Sequence, residues 1–361
     1  MTTDRCPLGA LRRAGALAAL LGSLAAVSIV GAASAAQPKV LKLLTWEEYI
    51  SPTVLAEFER RANVKIQPYY FNSDSERDSL LVGADGADYD VIVVNGLAID
   101  SYRRRGWIRP LDRQRVPNIG NVDPKWRNAF ASSGEYAAPM FWGTLGIAYR
   151  ADLIKTPITS WEQLLKPSPE LCGRINMGGD ARDVIGSVLR AVGASLQKPT
   201  LDDYRKVETL LRSQQPCVSS YDFVSVSEDD PLVTGKIVAA MAYNGDALRM
   251  REFAPGIRYV MPTEGGIIWV DNLVLGAKSR APRQAEDLIN FLLAENNLLR
   301  LATYSRYAPA SERITQRMPA SLRNHPDIVP SAARLRNFAL DIDTDVQSAR
   351  QRNRIFAAIS R

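Results

Sequence analysis

Trp269 and Asp271 stand two apart in the stretch Thr263-Glu-Gly-Gly-Ile-Ile-Trp-Val-Asp-Asn272. In an extended chain, residues two apart face the same side. The bland arrangement is a core indole beside a solvated carboxylate. The sharper one is a box for a cation, in which a ring face attracts the charge and the carboxylate neutralises it. Further aromatic, acidic and amide residues recur where apolar runs end: Trp46, Glu47 and Tyr49, then Asn95, then Asp180 and Asp183, then Tyr243 and Asp246. Each has a plainer reading. Asp180 and Asp183 suit the N-cap and third position of a helix. Asp271 suits a turn at a strand end, Glu47 can face solvent, and Tyr307 before Ala-Pro can anchor a loop. Gly265-Gly266 can form a turn or a hinge.

Acid–base hydrolysis is a poor fit for the same residues. Asp180 and Asp183 lie one helical turn apart on one element, whereas a glycosidase needs its carboxylates on opposite sides of a bond. The only histidine is His325, before a proline in a polar stretch. That excludes a multi-histidine zinc site, and any Ser-His or Cys-His machinery would have to use His325. No phosphate loop or dinucleotide fingerprint is present: Gly83-Ala-Asp-Gly86 lacks the third glycine and precedes its strand. No enzyme activity, metal or cofactor is therefore expected.

Hydrophobic residues make up 46% of the 361, enough for a sizeable core. The first 36 residues read as a secretory signal. Arg5, Arg12 and Arg13 precede an uncharged Ala-rich run that ends in Ala33-Ser-Ala35. An uncleaved anchor is the alternative, and Arg12-Arg13 leaves twin-arginine export open. A periplasmic location is expected. Formal charge is +6, and removing the three Arg and one Asp of residues 1–35 leaves about +4. The run Arg103-Arg-Arg105 reads as a solvated helix face, so no nucleic acid is expected. Cys6 leaves with the signal. Cys172 and Cys217 remain as a disulfide or as two buried thiols. A bridge closing their loop would contribute roughly 4 kcal/mol in the chain-entropy model.

The elements that must position these residues alternate. Strands are predicted over 40–44, 64–66, 89–94, 174–177, 237–243, 259–261 and 267–275. A crossing segment runs through 136–142 into 146–149. Helices are predicted over 52–62, 75–82, 98–105, 161–165, 183–192, 201–214, 247–252, 282–293 and 297–304, and the tail from 331 is helical in part. Alternation of this kind argues for α/β domains with largely parallel sheets, whose ligands bind beyond the C-terminal strand ends.

In order along the chain, Thr45-Trp-Glu-Glu-Tyr49, Asp88-Tyr-Asp-Val-Ile-Val-Val94, Gly179-Asp-Ala-Arg-Asp183, Ala242-Tyr-Asn-Gly-Asp246, Pro262 to Asp271 and Tyr307-Ala-Pro309 resemble the periplasmic spermidine/putrescine-binding proteins, receptors of bacterial ABC uptake systems. The resemblance covers about residues 38 to 350. It implies a two-lobed α/β fold, each lobe a mostly parallel sheet flanked by helices, with a ligand cleft between. The expected division is lobe 1 over 37–147 and 272–315, and lobe 2 over 148–271 and 316–361. It implies an aromatic lining of Trp46, Tyr49, Tyr243, Trp269 and Tyr307, and an anionic set of Asp180, Asp183, Asp246 and Asp271. Asn95 stands where the family usually offers serine, and Glu47 where it tends to have Thr or Ser. Leu97 replaces a tyrosine of spermidine binders, so one aromatic wall is expected to be missing. Tyr243 stands where Trp is common, and Asp246 is acidic as in putrescine-type members. The implied partners are a polyamine and an inner-membrane ABC permease, with the receptor a monomer. Agmatine, an amino acid or a sensor role are the alternatives within the fold, and Tyr69-Tyr70 is a weak echo of iron-binding relatives.

Overall fold

The computed structural model describes residues 38–83, 86, 88–340 and 345–360. The signal expected over 1–36, with Cys6, lies outside the described residues. Twelve strands among the described residues join in one sheet. They are β1 (Lys39–Trp46), β2 (Val64–Phe71), β3 (Val91–Asn95), β4 (Ile108–Arg109), β5 (Ala137–Arg150), β6 (Ile175–Met177), β7 (Val218–Tyr221), β8 (Ala239–Tyr243), β9 (Ile257–Val260), β10 (Gly266–Gly276), β11 (Ala308–Pro309) and β12 (Phe338–Leu340).

The main path runs β2-β1-β3-β10-β5-β8-β6-β7. At one end β1 pairs in parallel with β2 and β3. At the other, β6 pairs in parallel with β7 and β8. Between these triplets run β5 and β10, antiparallel to each other. β10 also pairs with β3, and β5 with β8, so the two long strands tie the halves together.

Side-chain alternation builds a core on each face of each half. In β3, Val91 and Val93 enter one cluster with Leu41, Leu43, Val54 and Leu288, while Ile92 and Val94 enter another with Leu44 and Tyr102. In β8, Ala239 and Met241 pack with Ile175, Val188 and Leu211, while Ala240 and Ala242 pack with Ile257 and Met250. Buried on both faces, these strands read as continuous apolar runs, the pattern of a parallel sheet between helices.

Four strands are not legible in the sequence. β7, Val-Ser-Ser-Tyr, is a half-polar edge strand, β12 is three residues long, and β4 and β11 are two residues each. The helix Asn244–Met250 starts three residues before the expected 247, which places Asp246 in its first turn. Cys172 and Cys217 form a disulfide with Cα atoms 4.3 Å apart, tying the approaches to β6 and β7. Gly265 is required where it stands. Its φ is +99°, and an added Cβ would lie 1.9 Å from the Asn337 carbonyl oxygen.

Candidate functional site

A cavity of about 770 Å³ opens where the strands of both triplets end. Trp46 to Tyr49 follow β1, Phe71 to Asp74 close β2, and Asn95 to Leu97 close β3. From the other half come Asp183, Tyr221 to Ser227, Tyr243 and Asp246. Ile267 to Asp271 of β10 also line it. Trp269 and Asp271 therefore share the cavity-facing side of β10, as their spacing requires. After β1 the backbone turns through a left-handed conformation at Glu48 (φ 54°). Glu47 and Glu48 stay exposed at the cavity while Tyr49 returns to the core.

Three aspartates each receive a tyrosine hydroxyl. Tyr49 donates to Asp271 at 2.9 Å, Tyr307 to Asp246 at 2.7 Å and Tyr243 to Asp183 at 2.5 Å. The rings form a chain. Tyr49 and Tyr307 lie 5.8 Å apart, Tyr307 meets Trp269 edge-on at 4.8 Å, and Trp269 meets Tyr243 edge-on at 5.8 Å. Such edge contacts are favoured by the ring quadrupoles. Gly245 makes room for one of them: a Cβ there would lie 2.4 Å from the Tyr307 ring.

Burial pushes these carboxyls up. Asp271 rises to about 6 through burial, with Asp74 adding to the rise and the Tyr49 hydrogen bond opposing it. Burial also raises Asp246 to about 6, against the Tyr307 hydrogen bond and Arg249. Asp183 rises to about 7. Burial is again the largest cause, Arg182 and Tyr243 oppose it, and Asp180 and Asp74 reinforce it. Buried carboxyls with raised pKa values favour any cation that enters, because its charge offsets the cost of their ionisation.

Asp74 differs. Burial acts against its charge, but Arg77 and Arg182 outweigh this and hold it below the ordinary carboxylate value. It accepts from Arg77, Arg182 and Asn95. Asn95 also accepts from the Leu97 and Ala98 backbone through Oδ1, so its amide orients Asp74 as well as lining the cavity. Arg249 donates to the Glu48 carbonyl at 2.9 Å and to its carboxylate at 3.0 Å, and Tyr304 donates to the same carboxylate.

Of the eleven residues singled out in the sequence as candidate ligand contacts, ten line this cavity: Trp46, Glu47, Tyr49, Asn95, Asp183, Tyr243, Asp246, Trp269, Asp271 and Tyr307. Asp180 does not. It is the N-cap of the helix Ala181–Ala191, accepting from the Arg182 backbone N–H at 2.9 Å. It acts on the cavity through its charge on Asp183. Among the lining residues that the sequence does not single out are Asp74, Phe223 and Phe130. Asp74 opens the helix Asp74–Gly83. Phe223 stacks on Tyr243 at 5.5 Å. Phe130 lies over Gly96, whose added Cβ would meet its ring at 2.0 Å. Phe130 thus supplies an aromatic surface beside Leu97, where a missing wall was expected. Eight carboxylate side chains line the cavity against two arginines, so its field selects for cations.

Comparison with known proteins agrees with this fold. Residues 53–329 match the bacterial extracellular solute-binding protein family, and the chain belongs to it. It is 29% identical over 323 residues to the spermidine/putrescine-binding periplasmic protein of Escherichia coli K12, covering 89% of this chain and 91% of that one. It is 25% identical over 322 residues to the norspermidine sensor of Vibrio cholerae, covering 89% and 88%. The crystal structure of the spermidine/putrescine ABC transporter substrate-binding protein of Streptococcus pneumoniae superposes with a TM-score of 0.74 at 23% identity, covering 89% of this chain and 98% of that one. The fold is the two-lobed periplasmic-binding-protein fold.

Proposed function

We propose that this solute-binding protein is the periplasmic receptor of an ABC uptake system and that it binds a polyamine without chemical change. The observation that carries the reading is the set of three Tyr–Asp pairs, one buried and two half-buried, linked by the ring chain through Trp269. Asp271 and Asp246 would hold the ammonium at one end, and Asp183 that at the other. Trp46, Tyr49, Tyr243, Trp269 and Tyr307 would cover the methylenes, Glu47 would add an acceptor at the rim, and Asn95 would act on the cleft through Asp74, which it holds in place.

The energetics suit such a ligand. A desolvated ammonium needs a counter-charge and several acceptors. A ring face supplies up to about 2 kcal/mol to a desolvated cation. Four buried methylenes add about 3 kcal/mol at roughly 0.8 each, against about 8 kcal/mol for micromolar affinity. Ion pairs and ring contacts must supply the difference and offset the ordering cost. The secretory signal read over 1–36 would deliver the chain to the periplasm, where an inner-membrane permease would receive the ligand. Among the described residues no helix is long and apolar enough to cross a membrane. A sensor role within the same fold is the second reading, favoured by the likeness to the norspermidine sensor.

Titration calorimetry tests the ligand class. The mature protein is purified through unfolding to remove carried ligand, then titrated with putrescine, cadaverine, agmatine, spermidine and arginine. Micromolar or tighter binding of a polyamine is expected. A folded sample that binds only arginine, or nothing, would remove the polyamine from the account.

A further inference from the structure

Gly245 is the second residue of the helix Asn244–Met250, and it is buried. Local preference does not explain a glycine there. Any residue adopts helical backbone, and alanine forms helix better. Space explains it. A Cβ at Gly245 would lie 2.4, 2.6 and 2.7 Å from Cε1, Cζ and Cδ1 of the Tyr307 ring. The ring edge next to the hydroxyl therefore lies directly against the helix backbone.

Tyr307 has no room to step back. It is 4% exposed, and the two residues after it pair with Trp142 and Phe141 of β5. Its ring is flanked by Tyr49 at 5.8 Å, Phe141 at 6.5 Å and Trp269 at 4.8 Å. Trp269 is confined in the same way. Gly143 stands opposite it in β5, and a Cβ there would lie 2.4 Å from Cζ2 of the indole. The two rings thus stand between two glycine backbones, in an interior packed as densely as a crystal. The Tyr307 hydroxyl donates at 2.7 Å to Asp246, the residue after Gly245. Close approach at Gly245 lets one side chain lie on the helix and still bond the next residue along it.

We infer that Gly245 is a positioning residue of the cleft: by carrying no side chain it seats the Tyr307 ring on the helix Asn244–Met250, which aims the Tyr307 hydroxyl at Asp246 and fixes the Tyr307 and Trp269 rings against which a ligand lies. The effect on affinity rests on the amine reading of the cleft; the effect on packing does not. An alanine would force ring and helix apart by about 1 Å to reach the roughly 3.5 Å of an ordinary carbon contact. A hydrogen bond stretched by that amount is lost. Asp246 would keep its burial and the opposing charge of Arg249, and would lose the hydroxyl that lowers its pKa. The other charges nearby are Asp271, which acts on Tyr307, and Glu48, which Arg249 holds.

The test compares ligand-stripped wild type, Gly245→Ala, Tyr307→Ala and the double variant by melting and by calorimetric titration of putrescine between pH 5 and 8. Gly245→Ala is expected to melt lower than wild type and to bind putrescine about tenfold or more weakly. Its affinity should also begin to fall at a higher pH on acidification, because Asp246 without the hydroxyl keeps its proton to higher pH. On the Tyr307→Ala background the same substitution meets no ring. There it is expected to raise Tm and to leave affinity within about twofold. Losses of equal size in both backgrounds overturn the inference, as does a pH profile of Gly245→Ala that coincides with wild type. Should Gly245→Ala fail to fold by circular dichroism, the double variant decides: a recovered spectrum supports the inference, and an unfolded double variant beside a folded Tyr307→Ala overturns it. Should Tyr307→Ala fail to fold, Tyr307→Phe, which lacks only the hydroxyl, replaces it: its pH profile is expected to match that of Gly245→Ala, and a mismatch overturns the inference. Wild type silent toward putrescine, spermidine and agmatine sinks the amine reading, and the melting temperatures of the four proteins then decide the packing claim alone.

Discussion

Replacing Asp271 with Asn should make the ligand-free protein more stable and a poorer receptor. Asp271 is 5% exposed on β10, opposite Asn95 and Phe141. Burial and the neighbouring Asp74 lift its pKa from 3.8 to about 6. Ionising it in the empty cleft at pH 7.5 thus costs about 3 kcal/mol relative to the unfolded chain, at 1.36 kcal/mol per unit. The sign is opposite to that of a salt-bridged carboxylate. The folded state holds the proton more tightly, so the stability linked to this group is fully present below pH 3.8 and is lost as pH rises through about 6. Asn has the same shape, carries no charge and can still accept from the Tyr49 hydroxyl. At pH 7.5 the variant should gain about 2 kcal/mol, a rise in Tm of several degrees, and the gain should vanish near pH 4. A bound ammonium would lose its counter-charge, and putrescine affinity should fall by more than about tenfold. Differential scanning calorimetry of stripped protein at both pH values, with titration at pH 7.5, gives the readout. A variant that melts lower than wild type at pH 7.5 and binds putrescine unchanged would refute the reasoning.

Three further outcomes are expected. Affinity for a diamine should weaken as pH falls from 7.5 to 5, because the ligand requires ionised carboxylates and Asp271 and Asp246 titrate at about 6 and Asp183 at about 7. At pH 5 a group of pKa about 6 is roughly one-tenth ionised, so each contributes about a tenfold loss. Titration at constant ionic strength checks this, and a flat profile contradicts it. Gly265→Ala should destabilise the fold by at least about 2 kcal/mol, since a Cβ at φ +99° would lie 1.9 Å from the Asn337 carbonyl. A denaturant midpoint equal to that of wild type would count against that geometry. Replacing Cys172 and Cys217 with Ser should cost about 4 kcal/mol, from the length of chain the bridge closes. A melting curve unchanged by the double substitution would assign the bridge no role in stability.

The sequence exposed the site's membership better than its wiring. Val91 to Asn95 and Ile267 to Leu275 are apolar runs, and the residues that end or stud such runs face the cleft for simple geometric reasons. Pairings were hidden because they join distant positions: Tyr49 meets Asp271 across 222 residues, and Tyr243 meets Asp183 across 60. Asp74 was missed because an acidic residue opening a helix after Ser73 reads as a solvated first turn. Only the fold brings Arg77, Arg182 and Asn95 onto it. Asp180 admitted two readings from one spacing, and in the fold it caps a helix. Phe130 and Phe223 carry no local signal, since a phenylalanine in a loop has no periodicity to betray its partner.

The central claim is that the cleft holds an elongated polyamine by its charged ends. A crystal structure of the mature protein with putrescine tests it most directly. The account predicts one ammonium in hydrogen-bond reach of Asp271 and Asp246, the other at Asp183, and methylenes lying against Trp269. Putrescine bound elsewhere, or in the cleft with either ammonium directed to solvent, would contradict it.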